Sequence, residues 1–190
     1  MIQSHEKELD EPALVEFYTH LRNICILTLN AHPDDDEMYN LLFKLYKDNL
    51  NRGYFHYEGK LHPSRYLAIS EYAARMNKYD WAFEFIEKYK DQIIGETETQ
   101  DVYRLNLAMY YFGIGKFQDC LDNIPGSLSY VDYQITAKRL EIKALFELKS
   151  SLLDYKLDAF KMYLSRTSPK LLSPPRRQMN LDFANFMQQI

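Results

Sequence analysis

The sequence predicts an all-α protein in which antiparallel helix pairs stack into a superhelical array, closed by a C-terminal capping helix. Three observations predict it. The 190 residues include only 6 Gly and 7 Pro against 16 Tyr and 11 Phe, and this balance favours long helices over turn-rich sheets. Apolar residues recur at three- and four-residue steps in successive segments, as on one face of a helix. Two segments also repeat one residue pattern, which is typical of stacked helix pairs.

The first helix pair is predicted at about residues 12–50. Asp10 and Pro12 are typical of a helix start. Pro33 interrupts the pattern, and the acids at 34–37 favour a second helix start, where negative charge is stabilised. The apolar face of the first helix is predicted to contain Leu14, Phe17, Leu21, Ile24, Cys25 and Thr28. We expect residues 54–61 to form an irregular aromatic connector without a strand.

The remaining elements are three further helix pairs and a cap. The pairs are predicted at about 63–94, 100–125 and 130–166, and the cap at 175–189. Within the pairs, Asn77-Lys78 and Gly115-Lys116 mark turns, and Pro125-Gly126 ends the third pair. We expect residues 12–190 to form a single domain of helical repeats, preceded by a polar tail at 1–11.

The repeated pattern has large apolar and small side chains at matching positions, 38 residues apart (120 − 82 = 38). One copy reads Tyr66-x-x-Ile69-Ser70-x-x-Ala73 and continues through Tyr79 and Ala82 to Ile86. The other copy reads Arg104-x-x-Leu107-Ala108-x-x-Tyr111 and continues through Gly115, Phe117 and Cys120 to Ile124-Pro125. The small residues let two helices approach closely, and the large ones fill the seam between repeats. In the fourth pair Lys149-Ser150-Ser151 replaces the turn consensus.

These residues resemble the tetratricopeptide-repeat family, whose period is ~34 residues. The closer resemblance is to the C-terminal part of large uncharacterised bacterial proteins built from such repeats, and it covers the chain from Pro12 to its end. The resemblance implies a right-handed superhelix and a non-catalytic scaffold that binds a protein or peptide on its concave face. The first helix of each pair would line that face, so Tyr72, Arg75, Arg104 and Tyr111 are the predicted groove residues. Packing between repeats explains each of these four residues equally well.

Charge is unevenly distributed along a chain whose net charge is -4. Residues 1–37 are acid-rich, whereas residues 156–177 contain six Lys or Arg and a single acid, Asp158. Lys170, Arg176 and Arg177 define a candidate basic patch. It is either a solvated surface or a contact with an acidic partner, with nucleic acid, or with the acidic end of a second copy. The alternative function is therefore a regulatory or assembly module of a longer protein. Nucleic acid is the weaker form, since no aromatic platform interleaves the basic residues.

The string Ala31-His32-Pro33-Asp34-Asp35-Asp36-Glu37 resembles the metal-binding signature of zinc-dependent sugar N-deacetylases. That resemblance would make His32 and Asp35 metal ligands and Asp34 the general base. The family's glycine-rich segment and third histidine ligand do not follow, since neither His56 nor His62 lies in an H-x-x-H pair. We interpret the string as the start of a helix. The sequence predicts no catalytic residue, no metal site and no cofactor, hence not an enzyme.

Targeting signals and membrane spans are not evident in the sequence. The N-terminus has no basic segment followed by an apolar one. The most apolar stretch, residues 23–29, is much shorter than the ~20 residues that a membrane span needs. Cys25 and Cys120 are distant in sequence and are expected to be buried reduced thiols. We expect a cytoplasmic protein that does not contact membranes.

Overall fold

The computed structural model describes residues 9–95 and 99–190 and confirms the all-α prediction. This described part contains nine α-helices and one two-stranded hairpin. The helices are α1 (Glu11–Ala31), α2 (Asp36–Asn51), α3 (Pro63–Arg75), α4 (Tyr79–Tyr89), α5 (Thr99–Gly113), α6 (Phe117–Asn123), α7 (Val131–Glu147), α8 (Leu153–Arg166) and α9 (Pro174–Gln189). A short 3-10 helix, Lys90–Gln92, follows α4. The predicted polar tail lies outside the described residues as far as residue 8.

The chain divides into two compact units, an N-terminal unit (Met1–Ile94) and a C-terminal unit (Gly95–Ile190). In the N-terminal unit α2 packs on α1, α3 on α2, and α4 on α3. In the C-terminal unit α6 and α7 pack on α5, α8 packs on α7, and α9 packs on α8. Within each unit, helices that are neighbours in sequence are thus neighbours in space. The single repeat domain over 12–190 stays a prediction.

The acids around residues 10 and 35 act as helix caps, as their positions predict. Asp10 Oδ1 accepts a hydrogen bond from the amide of Ala13 at 3.0 Å and begins α1. Asp35 Oδ1 accepts one from the amide of Met38 at 2.9 Å and begins α2. Each bond satisfies an amide that the helix leaves without a backbone partner. Both helix starts are therefore set by residues adjacent in the chain.

The prediction of an irregular connector at 54–61 is wrong, because a small hairpin forms there. Strand β1 (His56–Tyr57) pairs antiparallel with β2 (Lys60–Leu61). The two turn residues, Glu58 and Gly59, have positive φ of 50° and 75°, and such turns match the twist of paired strands. The hairpin is anchored to the end of the unit, since the amide of Ile94 donates to the carbonyl of Leu61 at 2.8 Å.

A second correction concerns the buried face of α1. Tyr18, Arg22, Cys25 and Leu29 are the buried residues, whereas Ile24 is 57% exposed. The buried positions are spaced by four, three and four residues, so they form one stripe of the helix. The sequence pattern missed this stripe because a charged residue, Arg22, stands in the middle of it.

One turn geometry recurs in three helix pairs. Asn77, Gly115 and Lys149 have positive φ of 55°, 75° and 50°. Each follows the first helix of its pair and donates its amide to the carbonyl three residues earlier, at 2.9, 3.1 and 2.9 Å. In all three turns the amide of the next residue donates to the carbonyl five residues earlier, at 2.9 Å. The bonds run from Lys78 to Ala73, from Lys116 to Tyr111 and from Ser150 to Leu145. This pair of backbone hydrogen bonds is the Schellman motif that closes a helix C-terminus.

The repeated small residues are buried inside their own units. Ser70 and Ala82 are 4% and 1% exposed, and their counterparts Ala108 and Cys120 are both 0% exposed. In the N-terminal unit the hydroxyl of Tyr66 donates to the carbonyl of Ile86 at 2.7 Å and ties α3 to α4. In the C-terminal unit the core includes Ile142, Leu157, Phe160, Leu164, Leu172 and Ala184. These four positions are therefore buried alike in the two units.

Both cysteines are buried and unbridged. Burial raises the pKa of the Cys120 thiol to about 12 and raises that of Cys25. In the part of the chain described, no helix has both the length and the apolar composition needed to cross a membrane.

Candidate functional site

An open cleft of about 740 Å³ lies in the N-terminal unit. It is formed where the start of α2 faces the turn between α3 and α4. Its lining residues are Pro33, Asp34, Asp36, Tyr39, Asn40, Arg75, Met76, Asn77 and Lys78. The lining therefore combines carboxylates, cationic groups, amides, a phenol and two apolar side chains.

Local backbone structure positions the charged groups of the cleft. Asp34 and Asp36 flank Asp35, whose capping bond holds the start of α2. Lys78 follows Asn77, whose positive φ of 55° turns the chain back into α4. The acids and the cation therefore stand on a helix start and a helix end, two rigid positions that face each other across the cleft.

Arg75 is the predicted groove residue that the structure places in the cleft. Its guanidinium donates to Glu71 Oε1 at 3.0 Å and to the hydroxyl of Tyr39 at 3.4 Å, so it links α3 to α2. Burial lowers the pKa of Arg75, but the bonds to Tyr39 and Glu71 outweigh it and hold the pKa above its usual value. Arg75 is therefore a charged side chain with hydrogen-bond partners on both α3 and α2.

Tyr72, the second predicted groove residue, lies behind the lining. Its ring centroid is 6.2 Å from that of Tyr39 and 5.7 Å from that of Tyr46. Burial, and then the negative charge of Glu71, raise the pKa of the Tyr72 phenol. Tyr72 supports the lining residue Tyr39 from behind.

Arg104 and Tyr111 lie two turns apart on α5 in the C-terminal unit. The guanidinium of Arg104 donates to the carbonyl of Asp122 at 3.1 Å, near the end of α6. The ring of Tyr111 is half-buried, 5.5 Å from the ring of Tyr110. The four predicted groove residues thus divide evenly between the two units.

The three residues of the predicted basic patch have different surroundings. Arg176 pairs with Asp132 across the start of α7. Arg177 donates to the carbonyl of Thr167 at 2.6 Å and to that of Ser165 at 3.5 Å, so it closes the C-terminus of α8. Lys170 is exposed on the turn before α9. Two of the three cations therefore bind groups inside their own unit.

The acid string contributes to the cleft through Pro33, Asp34 and Asp36. His32 is exposed at the end of α1, and Asp35 is bound to the amide of Met38. Over residues 9–95 and 99–190, no three His, Cys, Asp or Glu side chains come together as a metal site requires. The ligand set that the deacetylase resemblance implies does not assemble in that part of the chain.

Sequence reasoning missed a polar cluster around Phe55 in the N-terminal unit. Arg22 is 2% exposed and Tyr46 is 0% exposed. The Cζ atoms of Arg22 and Arg65 lie 4.5 and 5.8 Å from the centroid of the Phe55 ring. The available signal was the four-residue step from Tyr18 to Arg22, which places Arg22 on the buried stripe of α1.

Comparison with family models, with curated proteins and with solved structures yields no match for this chain.

Proposed function

We propose that this protein is a non-catalytic scaffold of tetratricopeptide-like repeats, stacked as a right-handed superhelix, that holds an extended segment of a protein partner. The recurring turn geometry supports the repeat assignment. Asn77, Gly115 and Lys149 close equivalent helices with the same pair of backbone hydrogen bonds. The spacings of 38 and 34 residues (115 − 77 = 38 and 149 − 115 = 34) match a repeat of one helix pair.

The cleft in the N-terminal unit is the observation that carries the binding proposal. An extended polypeptide presents backbone donors and acceptors together with side chains of either charge. In the cleft, Asn40 and Asn77 suit the backbone groups of a peptide. Asp36, Arg75 and Lys78 suit its charged side chains. Tyr39 adds apolar contact area at low entropic cost, and Met76 adds an adaptable apolar surface.

The alternative, a module whose basic end contacts nucleic acid or an acidic partner, has weaker support. Arg176 is paired with Asp132, and Arg177 is bound to the carbonyl of Thr167, just after α8. Phosphate contacts would have to compete with these bonds. The cleft combines charged groups with amide, phenol and apolar groups, which makes it the better candidate for a polypeptide.

Selection of displayed random peptides on the purified full chain tests the proposal. Selected peptides are measured by fluorescence polarisation against the wild type, the double variant Arg75→Ala/Lys78→Ala, and Lys60→Ala, which removes an exposed cation from the hairpin of the same unit. We expect the double variant to weaken binding by about tenfold or more, and Lys60→Ala to leave it unchanged.

A photo-crosslinking residue at Asn40 and another at Lys60 provide an independent readout. We expect the peptide to crosslink to position 40 and not to position 60. Equal affinity for the wild type and the double variant, with crosslinks at position 60, would reject the cleft as the binding site.

A further inference from the structure

Arg22 is a buried cation with neutral hydrogen-bond partners. It is 2% exposed. Its Nη1 donates to Asn49 Oδ1 at 2.5 Å and its Nη2 donates to Thr19 Oγ1 at 2.8 Å. Its Nε is buried and has no hydrogen-bond partner, and within the described residues no carboxylate pairs with it. A buried charge without a counter-ion is costly, so such a group needs an explanation.

A second orphaned donor lies next to it. The hydroxyl of Tyr46 is buried and has no partner, and the Tyr46 ring centroid is 5.7 Å from that of Phe55. Burial, and then the neighbouring Tyr72, raise the pKa of this phenol, so it stays protonated and able to donate. Buried hydroxyl groups in proteins normally have a partner.

Arg65 adds a second positive charge to the cluster. Its Cζ lies 5.8 Å from the Phe55 centroid, against 4.5 Å for Arg22. Burial, and then the charge of Arg65, lower the pKa of Arg22 to about 10, which leaves the Arg22 guanidinium charged near neutral pH. Glu71, the carboxylate whose charge reaches Tyr46, is already bound to Arg75 at 3.0 Å.

We propose that Arg22, Tyr46 and Arg65, the donors gathered around Phe55, bind the phosphate group of a ligand. The cluster offers two guanidinium groups and a phenol hydroxyl, and among the residues that the structure describes no carboxylate pairs with Arg22 or Arg65. A phosphate monoester carries a charge of about −1.5 to −2 at pH 7 and three acceptor oxygens, which suits a site with two cations and two orphaned donors. A carboxylate would leave one cation uncompensated. Arg65 is only half-buried, so the ligand would enter beside it.

This site is separate from the peptide cleft and does not depend on it. None of its three donors lines the cleft. The phosphate could be a free ion or part of a larger molecule, and the chemistry at Arg22 would be the same. Inorganic phosphate, phosphoserine and a nucleoside monophosphate are therefore the probes.

Calorimetric titration of the full chain with each probe, at constant ionic strength, tests the proposal. Acetate and chloride serve as control anions. We expect saturable phosphate binding, weakened about tenfold by Arg65→Met and by a smaller factor by Tyr46→Phe, which removes only the hydroxyl. Lys60→Met, which removes a cation outside the cluster, should bind as the wild type does.

The NMR resonance of the Arg22 Nε–H group reports on the site directly, without any substitution. We expect phosphate to shift it and acetate to leave it unchanged. If a buried water molecule already satisfies these donors, no probe binds saturably and the resonance does not move, which would overturn the proposal. Equal binding of acetate and phosphate, or unchanged binding in Arg65→Met, would also overturn it.

Discussion

Arg22 Nη1 donates to Asn49 Oδ1 at 2.5 Å and joins α1 to α2 across 27 positions of sequence. The orientation of the Asn49 amide is fixed at its other end, because Nδ2 donates to the carbonyl of Leu45 at 2.5 Å. Asn49 is 0% exposed. The pair therefore forms a polar contact in the middle of the helix interface, where an unmatched charge would be costly.

We expect Asn49→Leu to lower the free energy of unfolding of the N-terminal unit by about 2–3 kcal/mol, because the buried guanidinium loses its acceptor. The double variant Arg22→Met/Asn49→Leu should recover much of this loss, because two apolar side chains replace both partners. Urea unfolding followed by the fluorescence of Trp81, the only tryptophan of the chain, measures both variants. Equal destabilisation by the single and double variants would show that packing, rather than the stranded charge, sets the cost.

The turn at Lys149 should be improved by glycine. Its φ is 50°, a conformation that costs a residue with a Cβ about 1 kcal/mol. We expect Lys149→Gly to raise the free energy of unfolding by up to about 1 kcal/mol, and Gly115→Ala to lower it by about as much. Nothing lies within 4 Å of a Cβ built at Gly115, so backbone strain alone is tested there. Thermal unfolding followed by circular dichroism measures both variants. Changes in the free energy of unfolding with the same sign in the two variants would contradict the prediction.

Arg177 and Arg176 are neighbours with different expected contributions to stability. Arg177 supplies hydrogen bonds to the carbonyl of Ser165 in the last turn of α8 and to that of Thr167, which follows α8, so Arg177→Ala should cost about 1–2 kcal/mol. Arg176 forms a pair with Asp132 in which both side chains are about half exposed, so Arg176→Ala should cost about 0.5 kcal/mol or less. Urea unfolding by circular dichroism compares them. A larger loss for Arg176→Ala would contradict the assignment of Arg177 as the helix cap.

Cys120 makes stability depend on alkaline pH. Burial raises the pKa of its thiol from 9.0 to about 12 in the folded chain, so above pH 9 the unfolded state releases a proton that the folded state keeps. The contribution of the buried thiol to the free energy of unfolding is complete below pH 9 and is lost progressively as the pH rises toward 12. We expect the urea midpoint to fall more steeply between these pH values in the wild type than in Cys120→Ala. Parallel slopes in the two proteins would contradict the burial of a protonated thiol.

The sequence predicted most elements but not the polar cluster, and α1 shows why. Its start at Asp10 and its end near residue 31 follow from local caps. Its buried face was mispredicted because Ile24 is apolar yet 57% exposed, while Arg22 is charged yet 2% exposed. An apolar pattern identifies buried positions only when every buried position is apolar.

The fourth helix pair shows the opposite case, in which conformation persists where the sequence pattern is lost. Lys149-Ser150-Ser151 lacks the consensus turn residues, yet Lys149 adopts the same positive φ and the same two hydrogen bonds as Gly115. The packing of α7 on α8 overrides the weak local preference. The hairpin at 56–61 was missed for a related reason, since strands of two residues leave almost no periodic signal.

The amino-acid sequence by itself determined the fold class, the helix starts at Asp10 and Asp35, and the positions of most turns. These features depend on hydrogen bonds between residues at most five positions apart, so the local sequence is enough to predict them. Only the tertiary structure decided that Arg22 is buried against Phe55 and Asn49, and that Asp36 and Arg75 line one cleft. Those contacts join residues far apart in sequence, so they exist only once the helices have packed.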